Sequence, residues 1–432
     1  MSRSLVFVLA CSAIAASPAA AQTRNGLFGA TRAGTDARDR LTFQMSLSEA
    51  FDSDVPVEFR SRRPGNLAIG RYSSLFSGSA DYVHGQRHVD VLASASSYVR
   101  YNAALQRAVA GPQSGRLGAT FHLPQTGSLS IGEDAAYSPS YLYELFPGDV
   151  TQDPEAPPPV NADYRIDTAT SYSSRSHAEL HYGRAVGTQM SAAANYRLAD
   201  YRGQRDRPDL HAYEAGSTIS HAPSRSRSFS VGYFRRSGRH GSGAWTGEQE
   251  LRLGLSLSPA LSATRRVTFK VTVTPTLIDG AIPARRSMVQ GNAGVNYPFT
   301  LRWTMSAGYR RGVDYLAVLT EPVITDAGTA GITGAIGRRV SISAEARYGT
   351  SLKLRADGHD RLKTATANAR VRFALSRSFA LFAEYLYYYY DHGLQSALAP
   401  DLPDRYEQHG ARVGVLLFSQ PIDRARPGRV RH

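Results

Sequence analysis

Three residues that could ligate a metal ion or transfer protons stand close together in the segment His177-Ala178-Glu179-Leu180-His181. In an extended strand this spacing places both histidines and the glutamate on one face. Residues two apart on a strand are about 6.6 Å apart, and residues four apart are about 13 Å apart. The two histidines are therefore too far apart to share one zinc ion. The spacing favours side chains that line a wall.

No other segment specifies a catalytic group. The chain is rich in serine, yet it contains no nucleophile-elbow, phosphate-cradling or calcium-loop pattern. The sequence therefore predicts a protein that is not an enzyme, without catalytic residues, a metal site or a cofactor. A hydrolase built on serine, histidine and an acid remains as the least favoured alternative.

The elements that carry these side chains are strands with two different faces. From Val340 to Phe418, apolar and polar residues alternate through four successive segments, and successive side chains of a strand point to opposite sides. Each segment has roughly 9 to 12 residues, whereas strands of soluble proteins usually have about 5 to 6. This length is typical of tilted strands that span a membrane.

The middle strands carry charge on one face only. Arg252 alternates with leucines, Lys270 with valines, and Arg310 with apolar and aromatic residues. A Lys or Arg side chain at the bilayer midplane costs roughly 2 to 4 kcal/mol on the lipid face of a barrel. The charged face must therefore line an interior.

The N-terminus is typical of a secretory signal, with Arg3 before an apolar core and Ala19-Ala20-Ala21 as a cleavage site before Gln22. Cleavage there would also remove Cys11, the single cysteine, and would exclude a disulfide framework. We therefore divide the chain into a signal peptide at residues 1–21, a periplasmic N-terminal tail at 22–38, an outer-membrane β-barrel at 39–420 and a periplasmic C-terminal tail at 421–432.

Short and long connections take turns along the chain, as in barrels with short periplasmic turns and long extracellular loops. Gly337-Arg338 belongs to the short set, and Ala110–Ser114, Phe146–Asp163 and Arg311–Asp314 belong to the long set. Counting the segments gives about 18 strands, with about 16 also compatible because predicted boundaries slip by 2 to 4 residues. Backbone groups in lipid need internal partners. The predicted fold is thus all-β, a single closed antiparallel transmembrane β-barrel.

The net charge is +14, from 50 Lys+Arg against 36 Asp+Glu. Such an excess is often the footprint of nucleic-acid binding, but the secretory signal and the lack of a basic helix or zinc-finger spacing argue against that partner. We expect the basic residues to line the lumen and the loops instead. The predicted pore-lining residues are Arg100, Arg197, Arg252, Lys270, Arg302, Arg310, Glu345, Arg347, Arg370, Arg372 and Arg412.

The predicted inner face carries more cations than anions, since its clearest acidic positions are Asp90, Asp134, Glu179, Glu250 and Glu345. Such a wall should favour anions. In particular, sequential hairpin pairing places Arg347, Arg370, Arg372 and Arg412 on neighbouring strands as a basic ladder. The alternative is that arginines pair with carboxylates across strands and only keep the interior hydrated.

The signal and the alternating strands, with Gly70-Arg71-Tyr72-Ser73-Ser74, Ser79-Ala80-Asp81-Tyr82 and the strand from Tyr406 to Phe418, resemble the outer-membrane β-barrel porins of Gram-negative bacteria. Within that group the chain looks most like barrels found with exopolysaccharide secretion systems. The resemblance covers nearly the whole mature chain. It implies a location in the outer membrane, with membrane lipid, lipopolysaccharide and the barrel-assembly machinery as partners.

Two functions stay open at this point. The first is a porin-like channel with a basic, anion-favouring lumen for small hydrophilic or anionic solutes, narrowed by an inward-folded loop for which Phe146–Asp163 is the candidate. The alternative is an export pore for an anionic exopolysaccharide, served by periplasmic export components. Such a pore would keep a wide interior with aromatic and basic rungs such as Tyr98, Arg100, Tyr388 and Arg372.

Overall fold

The alternating segments form antiparallel strands, and each strand pairs with its neighbours in the chain. The structure is a computed structural model that describes residues 27–29, 37–53, 72–103, 106–138, 170–184, 186–202, 209–241, 243–262, 264–280, 286–314, 322–353, 361–392 and 405–425. Its strands are β1 (Ala37–Asp52), β2 (Tyr72–Gly85), β3 (Val89–Asn102), β4 (Arg107–Leu123), β5 (Gly127–Ser138), β6 (Thr170–Gly183), β7 (Gly187–Arg202), β8 (Leu210–Ser224), β9 (Arg227–His240), β10 (Thr246–Leu257), β11 (Thr268–Gly280), β12 (Arg286–Tyr297), β13 (Trp303–Asp314), β14 (Val323–Ile336), β15 (Val340–Lys353), β16 (Arg361–Ala374), β17 (Phe379–His392) and β18 (Arg405–Ala425).

The sheet closes on itself. β1 pairs with β2 on one side and with β18 on the other, so the 18 strands form one continuous antiparallel ring. The prediction of a closed antiparallel barrel is confirmed, with the strand count at 18. Closure leaves no unpaired sheet edge. Because the number of strands is even, β1 begins and β18 ends at the same end of the barrel.

The two ends of the barrel differ in the length of their connections. At the short-connection end, β14 turns into β15 through three residues, 337–339, and β8 turns into β9 through two, 225–226. Gly337 has a φ of 64° there, a conformation that glycine adopts without strain. The connections at the long-connection end include residues 53–71 and 393–404. The predicted alternation holds at these connections but not throughout, because residues 258–267 between β10 and β11 at the short-connection end outnumber residues 241–245 between β9 and β10 at the opposite end.

Helical structure among the described residues is limited to a 3-10 turn at Pro124–Thr126 between β4 and β5. The described part of the chain holds no helix that is long and apolar enough to cross a membrane.

Two predicted loops lie inside strands. Residues 110–114 belong to β4, because a bulge in β4 places residues 111–112 opposite the single residue Tyr98 of β3 and takes up the glycine and proline without ending the strand. Gly111 fits because the Tyr98 ring lies against it, and a Cβ there would stand 2.1 Å from Tyr98 Cζ. Residues 311–314 belong to β13, which pairs with β14 as far as Asp314 and Val323. The predicted constriction loop at 146–163 lies outside the described residues.

The period of two gives the wall an apolar outer face and a mixed inner face. On β17, Leu381 and Tyr385 point outward and are exposed, whereas Phe382, Glu384 and Leu386 point inward and are buried. The same alternation holds on β11, where Phe269, Val271 and Val273 are exposed and Thr274 is buried. The structure thus places polar and charged side chains inside the ring, as the alternation predicts.

Closure of the ring can be tested at the seam between β1 and β18, where Met45 lies opposite Leu417. Opposed residues in antiparallel strands have Cα atoms about 4.5 to 5.5 Å apart, within the range that a disulfide spans. In a Cys11→Ser background, Met45→Cys with Leu417→Cys should form a disulfide under mild oxidation, detected by mass spectrometry of the cleaved protein. Met45→Cys with Val413→Cys, four residues out of register on the same face, is the control. Equal cross-linking of both pairs would contradict the register.

Candidate functional site: the charged lumen wall

The inner face is identified by a side chain that reaches across the enclosed space. Arg236 of β9 donates a hydrogen bond from Nη2 to the backbone carbonyl of Val313 on β13, four strands away. The strand order separates these residues by β10, β11 and β12. Such a contact crosses the lumen, and the residues that share the inward parity with Arg236 therefore line the barrel interior.

Burial of the inward side chains is concentrated in the half of the barrel next to the long connections. Asp52, Arg100, Asn102, Glu248, Asp314, Tyr388 and Tyr390 all lie there and are each at most 1% exposed. In the half next to the short connections, inward residues such as Lys270 and Ser256 are partly exposed. Among the polar and charged inward side chains of the described wall, those near the long connections are thus closely packed, whereas Lys270 and Ser256 near the short connections are partly exposed.

One group of ion pairs spans β8 to β10. The Arg252 guanidinium contacts the Glu214 carboxylate at 3.0 Å and the Glu250 carboxylate at 2.5 Å, and all three side chains are buried. The guanidinium also lies 3.8 Å from the centroid of the Phe234 ring, in cation–π geometry. Two carboxylates around one arginine leave no cationic excess at this point of the wall.

A second group joins β9, β10, β12 and β13. Arg236 Nε lies 3.4 Å from Glu248 Oε1, and the Gln290 amide donates to Glu248 Oε2 at 3.0 Å. The pairing of β12 with β13 ends at Gly291 and Arg311. Beyond that point the Val313 backbone N–H donates to Gln290 Oε1 at 3.2 Å. Side chains on the inner face therefore replace the missing ladder bonds at this seam.

Arg310 belongs to the same end of β13. Its guanidinium makes two hydrogen bonds to the Asp314 carboxylate, at 2.9 and 2.5 Å, and both side chains are buried. A bidentate arginine–carboxylate pair is among the strongest charge-assisted contacts. Arg310 is therefore neutralised by a residue that the sequence reading placed in a loop.

The predicted basic ladder on β15 to β18 is assembled but largely paired. Glu384 of β17 lies between Arg370 of β16, at 2.9 Å, and Arg412 of β18, at 3.7 Å. Arg347 donates from Nε to Glu345 on its own strand at 2.5 Å. Only Arg372 in this group has no carboxylate partner among the described residues, and it stands beside Arg370.

The four remaining predicted pore-lining residues lie in different surroundings. Arg100 lies inward and buried, with Nη1 3.2 Å from Asp52 Oδ2. Arg197 lies inward opposite Arg175 and Ala212. Lys270 lies inward between Ser256 and Gly294, and no carboxylate among the described residues pairs with it. Arg302 lies in the turn before β13, exposed, where it donates to the Gly337 carbonyl at 3.1 Å, so it borders the short-connection mouth and does not line the lumen wall.

The expected excess of inward cations is smaller in the structure, because several carboxylates were not counted. Asp52, Glu214, Glu248, Asp314 and Glu384 are all inward and buried. The alternation of residues could have identified Glu384 as inward, since it stands between outward-facing Ala383 and Tyr385. Asp314 could not be found in this way, because its segment reads as a turn around Gly312.

The histidines at 177 and 181 line the inner face of β6. His181 Nε2 lies 2.7 Å from Glu179 Oε1, while His177 stands opposite Gly132 and Asn195. The His177 ring occupies the space that a side chain at Gly132 would need, since a Cβ there would be 2.6 Å from the ring. Within the described ranges no group of three or more His, Cys, Asp or Glu residues is arranged to hold a metal ion.

No protein-family model matches this chain, and no curated protein matches it. Several solved structures are similar over most of their length. The outer membrane protein OprD from Pseudomonas aeruginosa is 11% identical with a TM-score of 0.43, covering 91% of this chain and 96% of that chain. Pseudomonas aeruginosa OccK5 (OpdH) is 9% identical with a TM-score of 0.47, covering 92% and 100%. Acinetobacter baumannii OccAB3 is 10% identical with a TM-score of 0.45, covering 88% and 99%.

The position of Glu384 between Arg370 and the buried Arg412 leads to a stability prediction. Replacing Glu384 with Gln should leave two neighbouring cations without a counter-charge, and breaking a buried ion pair costs about 3 to 5 kcal/mol. The free energy of unfolding, measured by urea titration in lipid vesicles, should fall accordingly. The matched control is Glu407→Gln on the outer face of β18, whose pairs with Arg405 and His409 are exposed and worth about 0 to 1 kcal/mol. Equal losses for the two variants would contradict the pairing.

Proposed function

We propose that this chain is an outer-membrane channel for small hydrophilic solutes, with a preference for anions set by Lys270 and Arg372. The observation that carries the proposal is the closed ring with an apolar exterior and a charged interior. Only a closed barrel or helices can satisfy every backbone group inside lipid. The outer face exposes Leu, Val, Phe and Ala side chains. Contact of these apolar side chains with water is unfavourable, whereas lipid tails would cover them.

Aromatic residues at both ends of the outer face support a position across a bilayer. Near the short-connection end, the Phe299 ring lies 6.3 Å from that of Tyr297 and 6.2 Å from that of Trp303, between ring centroids. Near the long-connection end, Tyr385, Tyr387 and Tyr389 follow each other on the outer face of β17. Two belts of amphipathic rings at the borders of an apolar band are typical of barrels in the outer membrane.

Two adjacent alanines in the middle of β7 test the assignment of the outer face to lipid. Ala194 points outward between Ala178 and Ala215, and Ala193 points inward opposite Glu179. Ala194→Arg should lower the free energy of unfolding in lipid vesicles by roughly 2 to 4 kcal/mol, the cost of arginine at the midplane of the lipid face. Ala193→Arg gains a carboxylate neighbour and should fold with a smaller loss. A larger loss in the free energy of unfolding for Ala193→Arg than for Ala194→Arg would contradict the assignment of the outer face to lipid.

The anion preference follows from which cations remain without a partner. Arg100, Arg252, Arg310, Arg347, Arg370 and Arg412 each face a carboxylate of the described wall. A paired charge has little field at a distance, because the carboxylate next to it has the opposite sign. Lys270 and Arg372 lack such a partner among the described residues, and both lie toward the short-connection end.

The surroundings of Lys270 suit a passing anion. Along its row of the wall, the next inward positions are Gly294 on β12 and Gly308 on β13. With no side chains there, the ammonium group borders open wall and is flanked by the hydroxyl of Ser256 on β10. A cation on an uncovered stretch of polar wall attracts a carboxylate or phosphate by charge.

The packing near the long-connection end supports small solutes over a polymer. An export pore for a polysaccharide needs its aromatic and basic rungs open to the path. Tyr98, Arg100 and Tyr388 do lie on the inner face, but all three are buried. Because those side chains are covered, they could not contact the sugar rings of a polysaccharide. We therefore do not propose export.

Reversal potentials in planar bilayers with a salt gradient test the role of the two cations. Lys270→Glu and Arg372→Glu should each shift the reversal potential toward that of a cation-preferring pore, because a cation of the lumen becomes an anion. The control neutralises an existing pair, Arg347→Met with Glu345→Gln, and should leave the reversal potential near that of the wild type since the net charge is unchanged. A larger shift in the control than in either single variant would overturn the assignment.

A further inference from the structure

Residues 27–29 lie against the inner wall at the short-connection end, ahead of β1. The Leu27 backbone N–H donates to the Arg338 carbonyl at 2.6 Å, in the turn between β14 and β15. The Gly29 N–H donates to the Arg377 carbonyl at 2.9 Å, in the turn between β16 and β17. Two backbone bonds to two different turns fix this short stretch, which we call the strap, across the inside of the barrel mouth.

Phe28 carries the strap into an apolar patch of the lumen. The patch consists of the inward side chains of Ala380, Phe382 and Leu416, all buried, and Phe28 packs against it. The Phe418 ring completes the contact, with its centroid 6.0 Å from that of Phe28 and the rings at 62° in an edge-to-face arrangement. Apolar side chains on an inner face that is otherwise polar and charged are best explained by this occupant.

The backbone conformation at Gly29 supports the contact of Phe28 with the apolar patch. Its φ is +69°, in the left-handed region that glycine adopts most readily. A Cβ at this position would lie 4.0 Å from the Phe418 ring, which is ordinary contact. The requirement for glycine is therefore conformational.

The strap also contacts Arg372, the arginine of the basic ladder that has no carboxylate partner among the described residues. The Arg372 guanidinium lies 5.4 Å from the centroid of the Phe28 ring, within the range of a cation–π contact. Arg372 is one of the two inward cations for which the described wall offers no carboxylate. The strap thus covers one side of the guanidinium with an aromatic ring, while Arg372 stays partly exposed.

We propose that the strap is a lumenal closure at the short-connection mouth, which narrows the path and partly masks Arg372 through Phe28. The effect on ion preference rests on the proposed channel function, whereas the position of the strap does not. When Phe28 leaves its patch, the mouth widens and Arg372 faces the passing solute. Conductance and anion preference then rise together.

A pair of cysteines tests the position of the strap without relying on conduction. In a Cys11→Ser background, Phe28→Cys with Phe418→Cys should form a disulfide on mild oxidation of the folded protein in detergent. Phe28→Cys with Leu75→Cys should remain reduced, because Leu75 is an inward residue of β2 in the half of the barrel next to the long connections. Absence of the first disulfide, or equal formation of both, would overturn the strap.

Single-channel recording tests the closure. Phe28→Ala should raise the conductance and shift the reversal potential toward that of chloride, and adding Arg372→Met to Phe28→Ala should abolish the second effect but not the first. Phe43→Ala, a phenylalanine on the outer face of β1, is the control and should match the wild type. If Phe28→Ala matches the wild type in both readouts, the strap is not a closure. If neither the wild type nor Phe28→Ala conducts, the channel function fails, and the disulfide result alone decides where the strap lies.

Discussion

The ring of backbone hydrogen bonds is the constraint on which the other features depend. A sheet that closes in lipid leaves no polar backbone group unpaired, but it also forces every strand to show one face to lipid and the other to the interior. All charge near the midplane must then turn inward. A chain with 50 Lys+Arg and 36 Asp+Glu can meet this condition only by gathering opposite charges on one wall, and ion pairs are the consequence.

The pairs divide the interior into parts with different roles. Around Glu248, Arg236, Gln290 and Val313, charged and amide side chains bridge the seam where β12 and β13 separate. There the charges are structural, and they contribute little to the field along the pore. Toward the other end lie Lys270 and Arg372, for which the described wall offers no carboxylate partner. In the proposed channel, selectivity would be a property of the residues left over after the wall has been stabilised.

The alternation of residue types was sufficient to predict much of this architecture. It gave the strands, their inner and outer faces, most of the alternation of short and long connections and the closed ring of 18, because those features depend on local period and on turn residues. The pairing of individual charges could not be predicted, since Arg236 meets a carbonyl four strands away and Arg310 meets Asp314 in a segment that reads as a turn. The prediction of a loop at 110–114 was wrong for a similar reason, because the Tyr98 ring that Gly111 accommodates lies on another strand. The contact of Phe28 with β17 and β18 joins residues from opposite ends of the chain, and no local pattern specifies it.

Spin-label accessibility along β11 tests most directly whether the period of two separates lipid from lumen. Single cysteines at positions 269 to 274, in a Cys11→Ser background and labelled with a nitroxide, would be measured in vesicles against oxygen and a water-soluble nickel chelate. Oxygen concentrates in lipid and the chelate in water, so Phe269, Val271 and Val273 positions should favour oxygen, and Lys270, Thr272 and Thr274 positions should favour the chelate or show low access to both. Accessibility without a period of two, or with the opposite phase, would contradict the account of a lipid-facing outer wall and a polar lumen.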